Sequence, residues 1–335
     1  MATHRAHAHR SLPGGGHGHV QQGDAQKTLH AAAAWTAVIF AVEVGGAWLA
    51  HSIALAADAG HVLTDVGALG LAAWAGRVAG RPATDTNTYG FGRATVLAGL
   101  FNAALLMLIA AGIGVAAILR LVHPHPVAPP WMIAAAAIAL IINLYVGLRL
   151  HGHAHADLNL RSAWLHVLSD AAGSAAVILA AIAIAATGWT VIDPALSLVL
   201  AAAIAWAGWR TAGQAVHVLL EGAPDGLDAT DVAASLARVP GVRGVHHLHV
   251  WSIGGGRRAV SGHLVLGPIS LEDGQRIARA AEGCLAADLA VEHCTLQIEV
   301  DAGCRECEPD EEGSAAAHPH AAGHRHGRRA FAPPP

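Results

Sequence analysis

The sequence predicts a membrane protein, with an all-α domain of six transmembrane helices followed by a small cytosolic α+β domain of ferredoxin-like type. Three observations support this fold class. Apolar residues make up 54% of the 335 residues and charged residues only 13%, whereas soluble domains carry about 25% charged residues. Six segments are apolar over about 20 residues, the length that crosses a bilayer as a helix. Beyond them, the pattern changes to short helices and strands.

The composition also limits the function. The chain holds 24 His, and its 20 Lys and Arg are balanced by 24 Asp and Glu, so no basic field favours a nucleic-acid partner. The imidazoles point instead to metal ions or protons. All four Cys lie beyond residue 283, so no disulfide framework shapes the apolar part. The sequence has no phosphate-cradling loop and no aspartyl-phosphate motif in its soluble part, so we expect neither an ATP-driven pump nor an enzyme.

These patterns divide the chain into four parts. A His-rich cytosolic tail covers 1–26, the transmembrane domain 27–213, the cytosolic ferredoxin-like domain 214–303, and a Cys-containing, acidic and His-rich tail 304–335, which we expect to be disordered. The six predicted spans are 31–50, 54–76, 95–119, 130–149, 162–186 and 191–209.

Basic residues near the spans predict the orientation. One side of the membrane receives nine of them, namely Arg5, Arg10, Lys27, Arg77, Arg81, Arg93, Arg149, Arg161 and Arg210. The other side receives only Arg120. Basic loops stay in the cytoplasm, so we expect both termini there. The composition, rich in Ala and Gly with a single Lys, is typical of a bacterium with a GC-rich genome, and we expect the bacterial inner (cell) membrane.

The soluble part alternates between helix and strand periods. We predict a helix at 227–238, strands at 242–251 and 259–266 around a Gly-rich turn, a helix at 271–285 and a strand at 290–300. The order α-β-β-α-β is close to a ferredoxin-like split βαβ fold, with the helices on one face of the sheet.

Two spans contain nearly the same pentapeptide, His-Val-Leu-Thr-Asp at 61–65 and His-Val-Leu-Ser-Asp at 166–170. Residues four apart share one face of a helix, so two facing helices would offer His61, Asp65, His166 and Asp170 to one point. Such a set of two nitrogens and two oxygens suits tetrahedral Zn²⁺. An Asp at the centre of a span costs about 2.5–3.5 kcal/mol on insertion scales, which favours a bound partner for these carboxylates.

Around these pentapeptides the chain resembles the cation diffusion facilitators, a family of zinc transporters. The segment 52–65 is similar to the second helix of that family, and 89–93, 157–161, 219–222 and 245–251 continue the likeness, which covers about 28–303. The resemblance implies a homodimeric antiporter of divalent metal ions and protons, with a cytosolic metal-sensing domain. The His-Asp quartet resembles the zinc-preferring branch. Two positions depart from the family pattern. The family often has Arg-x-Glu after the Gly-rich loop, whereas Arg93 is followed here by Ala94 and Thr95. His247 stands in place of the Asp of the Val-His-Asp-Leu-His pattern.

The resemblance also implies cytosolic zinc ligands at His246, His263, His293 and Glu299. The pair Cys304 and Cys307 resembles a tail Cys pair of some zinc transporters, a weak indication of metal contact because a structural zinc site takes four ligands. Clusters of His near both termini and at 151–155 are typical of metal capture. The loop after the second span offers Asp85 without a nearby His, so a second loop site is not predicted.

We therefore expect a transporter that moves Zn²⁺ out of the cytoplasm in exchange for protons by alternating access, with zinc as substrate and as regulatory ligand. Its partners would be the divalent ion, protons, the bilayer and a second copy of the chain. Two alternatives stay open: an exporter of Co²⁺, Ni²⁺ or Cd²⁺ from the same family, and a membrane-bound metal sensor or buffer that moves no ions. The quartet at bilayer depth argues against the sensor, which has no need of charged ligands there.

Overall fold

The computed structural model of the protein describes residues 18–151 and 158–300, with side chains from residue 34 onward except at 158–160 and 162. The C-terminal tail with Cys304 and Cys307 lies outside these residues, as do most members of the His-rich clusters. The described residues form two compact units. One comprises the residues up to Leu71 together with Phe101–Arg210, and the other comprises Ala72–Leu100 with the residues from Thr211 onward.

Six long helices precede the soluble part of the described chain. They are α1 (Gly18–Ala50), α2 (Ile53–Ala79), α3 (Ala94–Val122), α4 (Pro129–His151), α5 (Leu158–Thr187) and α6 (Ile192–Leu219). Helices α2 to α6 each contain a stretch long and apolar enough to cross a membrane, and the apolar segment 34–50 of α1 is shorter. The predicted multi-span helical domain is confirmed. Several helices extend beyond the predicted spans, because hydropathy registers only the apolar part of a helix.

Small residues allow the helices of this bundle to approach one another closely. Ala50, Ala54 and Leu55 are buried in an apolar cluster with Met132 of α4. A side chain at position 46 of α1 would collide with α4, since a Cβ there would lie 2.3 Å from the Cβ of Ala135. Close packing of small residues is the usual means of association for transmembrane helices, and Gly46 allows it between α1 and α4.

The soluble part follows the predicted element order α-β-β-α-β. Its elements are α7 (Ala229–Leu236), β1 (Val242–Gly254), β2 (Arg257–Leu266), α8 (Leu271–Leu289) and β3 (Val291–Glu299). In the sheet, β2 lies between β1, which is antiparallel to it, and β3, which is parallel to it. The predicted α+β class is confirmed. The two strands joined by α8 are adjacent, whereas in a split βαβ unit another strand lies between them.

Local signals explain why both helices of this part begin where they do. The Asp228 carboxylate accepts hydrogen bonds from the N–H groups of Thr230 and Asp231, and the Asp231 side chain accepts from the Asp228 N–H, which completes a capping box. Ser270 caps α8 through the N–H of Asp273. Buried side chains such as Leu264 and Leu285 then hold the helices and the sheet in one apolar core.

Candidate metal centres

The first candidate centre lies between α2 and α5, where the structure brings all four predicted residues together. Helix α2 carries His61 and Asp65, and α5 carries His166 and Asp170, in each case one helical turn apart. One ligand atom from each residue lies within 4.8 Å of the others. The i, i+4 spacing on two facing helices therefore produces the cluster that the pentapeptides predict.

One of the four nitrogen–oxygen distances in this quartet equals that of a tetrahedral zinc site, and the other three are slightly longer. His61 Nε2 lies 3.8 Å from Asp65 Oδ2 and 3.8 Å from Asp170 Oδ1. His166 Nε2 lies 3.3 Å from Asp65 Oδ2 and 3.7 Å from Asp170 Oδ2. Ligand atoms at the corners of a tetrahedron with bonds of about 2.0–2.1 Å are about 3.3–3.4 Å apart. A small inward movement of the side chains would thus complete coordination of Zn²⁺.

Burial and polarity within the quartet also suit a cation. The side chains are 12% to 46% exposed, with Asp170 the most enclosed and His166 the most open. Asp65 Oδ2 and His61 Nδ1 are buried and have no hydrogen-bond partner within the described part of the chain. Buried polar atoms are normally satisfied. A divalent cation would satisfy Asp65, and its charge would be balanced by the two carboxylates.

Several buried polar residues lie beside the quartet in α1 and α2. Thr64 is buried and donates a hydrogen bond to the His61 carbonyl. Position 173 of α5 is a glycine, and a Cβ at this position would lie 3.3 Å from Asp58 Oδ1. Asp58 is 6% exposed and Glu43 of α1 is 1% exposed. Both acids are therefore buried within largely apolar helices.

The second candidate centre lies on the sheet of the soluble part, with one ligand from each strand. His246 of β1 is paired in register with His263 of β2. Glu299 ends β3, where it is paired with Val265, two residues after His263. The carboxylate of Glu299 lies 2.8 Å from His246 Nε2 and 2.8 Å from His263 Nδ1. Two nitrogens and a carboxylate are ligands that zinc accepts, and a fourth position is left for a further donor.

His293, which the resemblance placed among these ligands, is not brought to them by the structure. It lies near the start of β3, paired with Ala259, six residues before Glu299. At about 3.3 Å per residue, that separation is about 20 Å along the strand. Its ring instead lies against the ring of Tyr89, with the ring centres 5.5 Å apart. Asp85 belongs to none of the metal-binding groups among the described residues.

The segment 89–93, which carries part of the family likeness, packs on the turn between β1 and β2. Arg257 donates a hydrogen bond to the Tyr89 carbonyl at 3.1 Å. Gly92 lies so close to this turn that a Cβ there would be 2.8 Å from the Ile253 carbonyl oxygen. Arg93 forms a 3.0 Å ion pair with Glu221. The sequence indicated these motifs without showing that two of them, around positions 93 and 221, contact each other.

Comparison with known proteins agrees with this arrangement. The family model described as "Cation efflux transmembrane domain" matches residues 29–220, and the model described as "Cation efflux protein, cytoplasmic domain" matches residues 224–301. Among solved structures, one named MamM-CTD 215-293 is similar over 21% of this chain and 90% of that chain, with 24% sequence identity and a TM-score of 0.20.

Curated relatives match over most of their length. A "Cadmium, cobalt and zinc/H(+)-K(+) antiporter" of Bacillus velezensis is 36% identical over 78% of this chain and 84% of the relative. "Metal cation efflux system protein CzcD" of Cupriavidus metallidurans is 34% identical over 91% of this chain and 94% of the relative. "Zinc transporter ZitB" of Escherichia coli is 37% identical over 89% of this chain and 93% of the relative. The chain therefore belongs to the cation efflux family, the cation diffusion facilitators, and has both the transmembrane and the cytoplasmic domain of that family.

Proposed function

We propose that this protein exports Zn²⁺ from the cytoplasm in exchange for protons, and that His61, Asp65, His166 and Asp170 bind the transported ion. The observation that carries the proposal is the quartet itself, whose nitrogen–oxygen distances of 3.3–3.8 Å join two membrane helices. Two imidazoles and two carboxylates form a neutral complex with a divalent cation, which lowers the cost of holding it inside a membrane.

Exchange with protons follows from the same four groups. Zinc binds the unprotonated form of imidazole and of carboxylate, so protons and zinc compete for the same atoms. When the site opens to the side with more protons, protonation releases the metal, and the protonated site can return. Helices that rock around a fixed site would open it alternately to the two sides. An inward proton gradient then drives metal outward.

The metal range and the orientation are also part of the proposal. The names of the relatives include zinc, cadmium and cobalt, which supports zinc first and Cd²⁺ or Co²⁺ as further substrates. The excess of basic residues on one side supports cytoplasmic termini in a bacterial inner membrane. The family likeness of the soluble domain supports a homodimer in which zinc at His246, His263 and Glu299 acts as a regulatory ligand.

The test is metal flux in vesicles that contain the full-length protein. An imposed pH gradient, acid on the side opposite to the metal, should drive uptake of Zn²⁺ and a matching flow of protons. Asp170→Asn should remove both flows, whereas Asp85→Asn, which changes an exposed loop acid in the same way, should keep them. Metal binding without any flux in the wild-type protein would favour the sensor or buffer instead.

A further inference from the structure

A buried acid of α6 holds the start of α2, the helix that carries His61 and Asp65. The connection between α1 and α2 consists of His51, which turns the chain with a φ of 51°, and Ser52. Asp193, the second residue of α6, is 0% exposed. An acid enclosed in a membrane domain is costly unless it has partners, and the partners of the Asp193 carboxylate lie at this turn and in the first two residues of α2.

Three donors from the start of α2 reach the Asp193 carboxylate. They are the Ser52 hydroxyl, the Ile53 N–H at 2.9 Å and the Ala54 N–H at 3.3 Å. The Ser52 hydroxyl oxygen in turn accepts from the Leu55 N–H at 3.1 Å. The first N–H groups of a helix have no partner within the helix. Here Asp193 satisfies two of them from a separate helix, and its negative charge is favoured at the positive end of the α2 dipole.

This arrangement exceeds what capping alone requires. A serine at the N-cap position is by itself among the best helix caps, and Ser52 already fills that role through Leu55. The distinct effect of Asp193 is to tie α2 to another helix. Asp193 is itself held, because its N–H donates to the Thr190 carbonyl at 3.3 Å and its carbonyl accepts from the Ser197 hydroxyl at 2.7 Å.

The tie joins α2 to α6, which follows α5, the other helix that carries the quartet. Helix α5 ends at Thr187, and four residues separate it from the first residue of α6. Asp193 therefore connects the start of α2 with the turn that follows α5. His61 and Asp65 lie about 12 and 18 Å beyond Ile53 along α2, at 1.5 Å per residue. A shift or rotation at the start of α2, which contains no proline, would be passed on to both ligands.

We propose that Asp193 is a positioning residue of the transport site. By fixing the start of α2, it sets the height and rotation of His61 and Asp65 relative to His166 and Asp170. The inference rests on the proposed function, since it takes the quartet to be the site where the transported metal binds.

The experiment measures flux of Zn²⁺ and Cd²⁺ against metal concentration in vesicles that contain the full-length protein. Asp193→Ala should raise the half-saturating Zn²⁺ concentration about tenfold, because misplacement of binding groups by a fraction of an ångström is that costly, and should change the Zn²⁺ to Cd²⁺ ratio. Asp193→Asn keeps one acceptor oxygen and should give a smaller rise. Asp228→Ala removes the acidic cap of α7 and should alter neither quantity.

The half-saturating concentration separates positioning from a purely structural role. A structural role would reduce the amount of active protein, and hence the maximal rate, with the half-saturating concentration and the ion ratio unchanged; that result for Asp193→Ala would overturn the proposal. If Asp193→Ala does not insert, unchanged values for Asp193→Asn and Ser52→Ala would overturn it equally. Failure of the proposed function gives a different result, namely flux that persists in Asp170→Ala.

Discussion

His166 Nε2 of α5 lies 3.3 Å from Asp65 Oδ2 of α2, and this is the shortest of the four nitrogen–oxygen distances in the quartet. The two residues are 101 positions apart in the chain (166 − 65). Each His is therefore near the Asp of the other helix as well as the Asp of its own. A metal ion at this point would connect α2 with α5. Loss of either Asp would leave a single carboxylate to balance the two positive charges of the ion.

We expect Asp65→Ala and Asp170→Ala each to lower zinc flux at least about 100-fold, since even indirect supporting residues of metal sites contribute about 10–100-fold. The remaining three ligands carry one negative charge against two positive charges. The measurement is zinc uptake by vesicles, normalised to the amount of inserted protein. Near wild-type flux in either variant would show that the quartet is not the transport site.

We expect His61→Asp to change the ion preference more than the amount of protein inserted. The substitution replaces a nitrogen by an oxygen and gives a harder, more anionic site of one nitrogen and three oxygens, which favours harder ions such as Mn²⁺. We expect the ratio of uptake of the favoured ion to uptake of Zn²⁺ to change on the order of tenfold, which corresponds to about 1.4 kcal/mol.

Competition between ions during uptake provides the measurement for this selectivity change. His125→Asp offers a matched control, because it makes the same substitution at an exposed loop position outside the quartet. An unchanged order of ions in His61→Asp would mean that His61 is not a ligand.

The sequence was most informative where its pattern follows directly from helix geometry. Apolar stretches of membrane length and the repeated His-x-x-x-Asp predicted the helices and the quartet, because helical geometry alone places residues i and i+4 together. It was least informative about residues joined through tertiary structure. His293 and Glu299 share a strand, but only the sheet shows that Glu299 reaches His263 from a position two residues along, whereas His293 is paired with Ala259. The contact of Asp193 with Ser52 spans 141 positions and has no local sequence signal.

The Cys294 thiol on β3 should react slowly at neutral pH. Burial, with a smaller contribution from the negative charge of Glu282, raises its pKa from 9.0 to about 11. Only the thiolate reacts readily with alkylating reagents. In a variant that keeps Cys294 as its only Cys, the alkylation rate of the folded protein should continue to rise up to about pH 11, whereas in denaturant it should level off near pH 9.

The raised pKa of Cys294 also makes the free energy of unfolding depend on pH. The folded state binds the Cys294 proton more tightly than the unfolded state, so this contribution to stability is fully present below about pH 9 and is lost as the pH rises through about 11. Glu282→Gln removes the charge contribution and should move the alkylation profile of the folded protein to lower pH. A folded profile that coincides with the denatured one would contradict the prediction.

Substitutions in the soluble domain can distinguish the zinc ligands from other His residues. We expect His263→Ala to abolish zinc-dependent stabilisation of this domain, because it removes one of the two nitrogens beside Glu299. His293→Ala, the matched control, should keep it, since His293 lies about 20 Å along β3 from Glu299.

The measurement is the melting temperature of the full-length protein with and without zinc, in an Asp170→Ala background that weakens binding at the transport site. At a zinc concentration 100 times Kd, one site contributes about 2.7 kcal/mol. Protons compete with zinc for imidazole, so the stabilisation should decline as the pH falls. Equal loss in His263→Ala and His293→Ala would mean that His293 joins the site by a rearrangement of β3 or from the partner copy in a dimer.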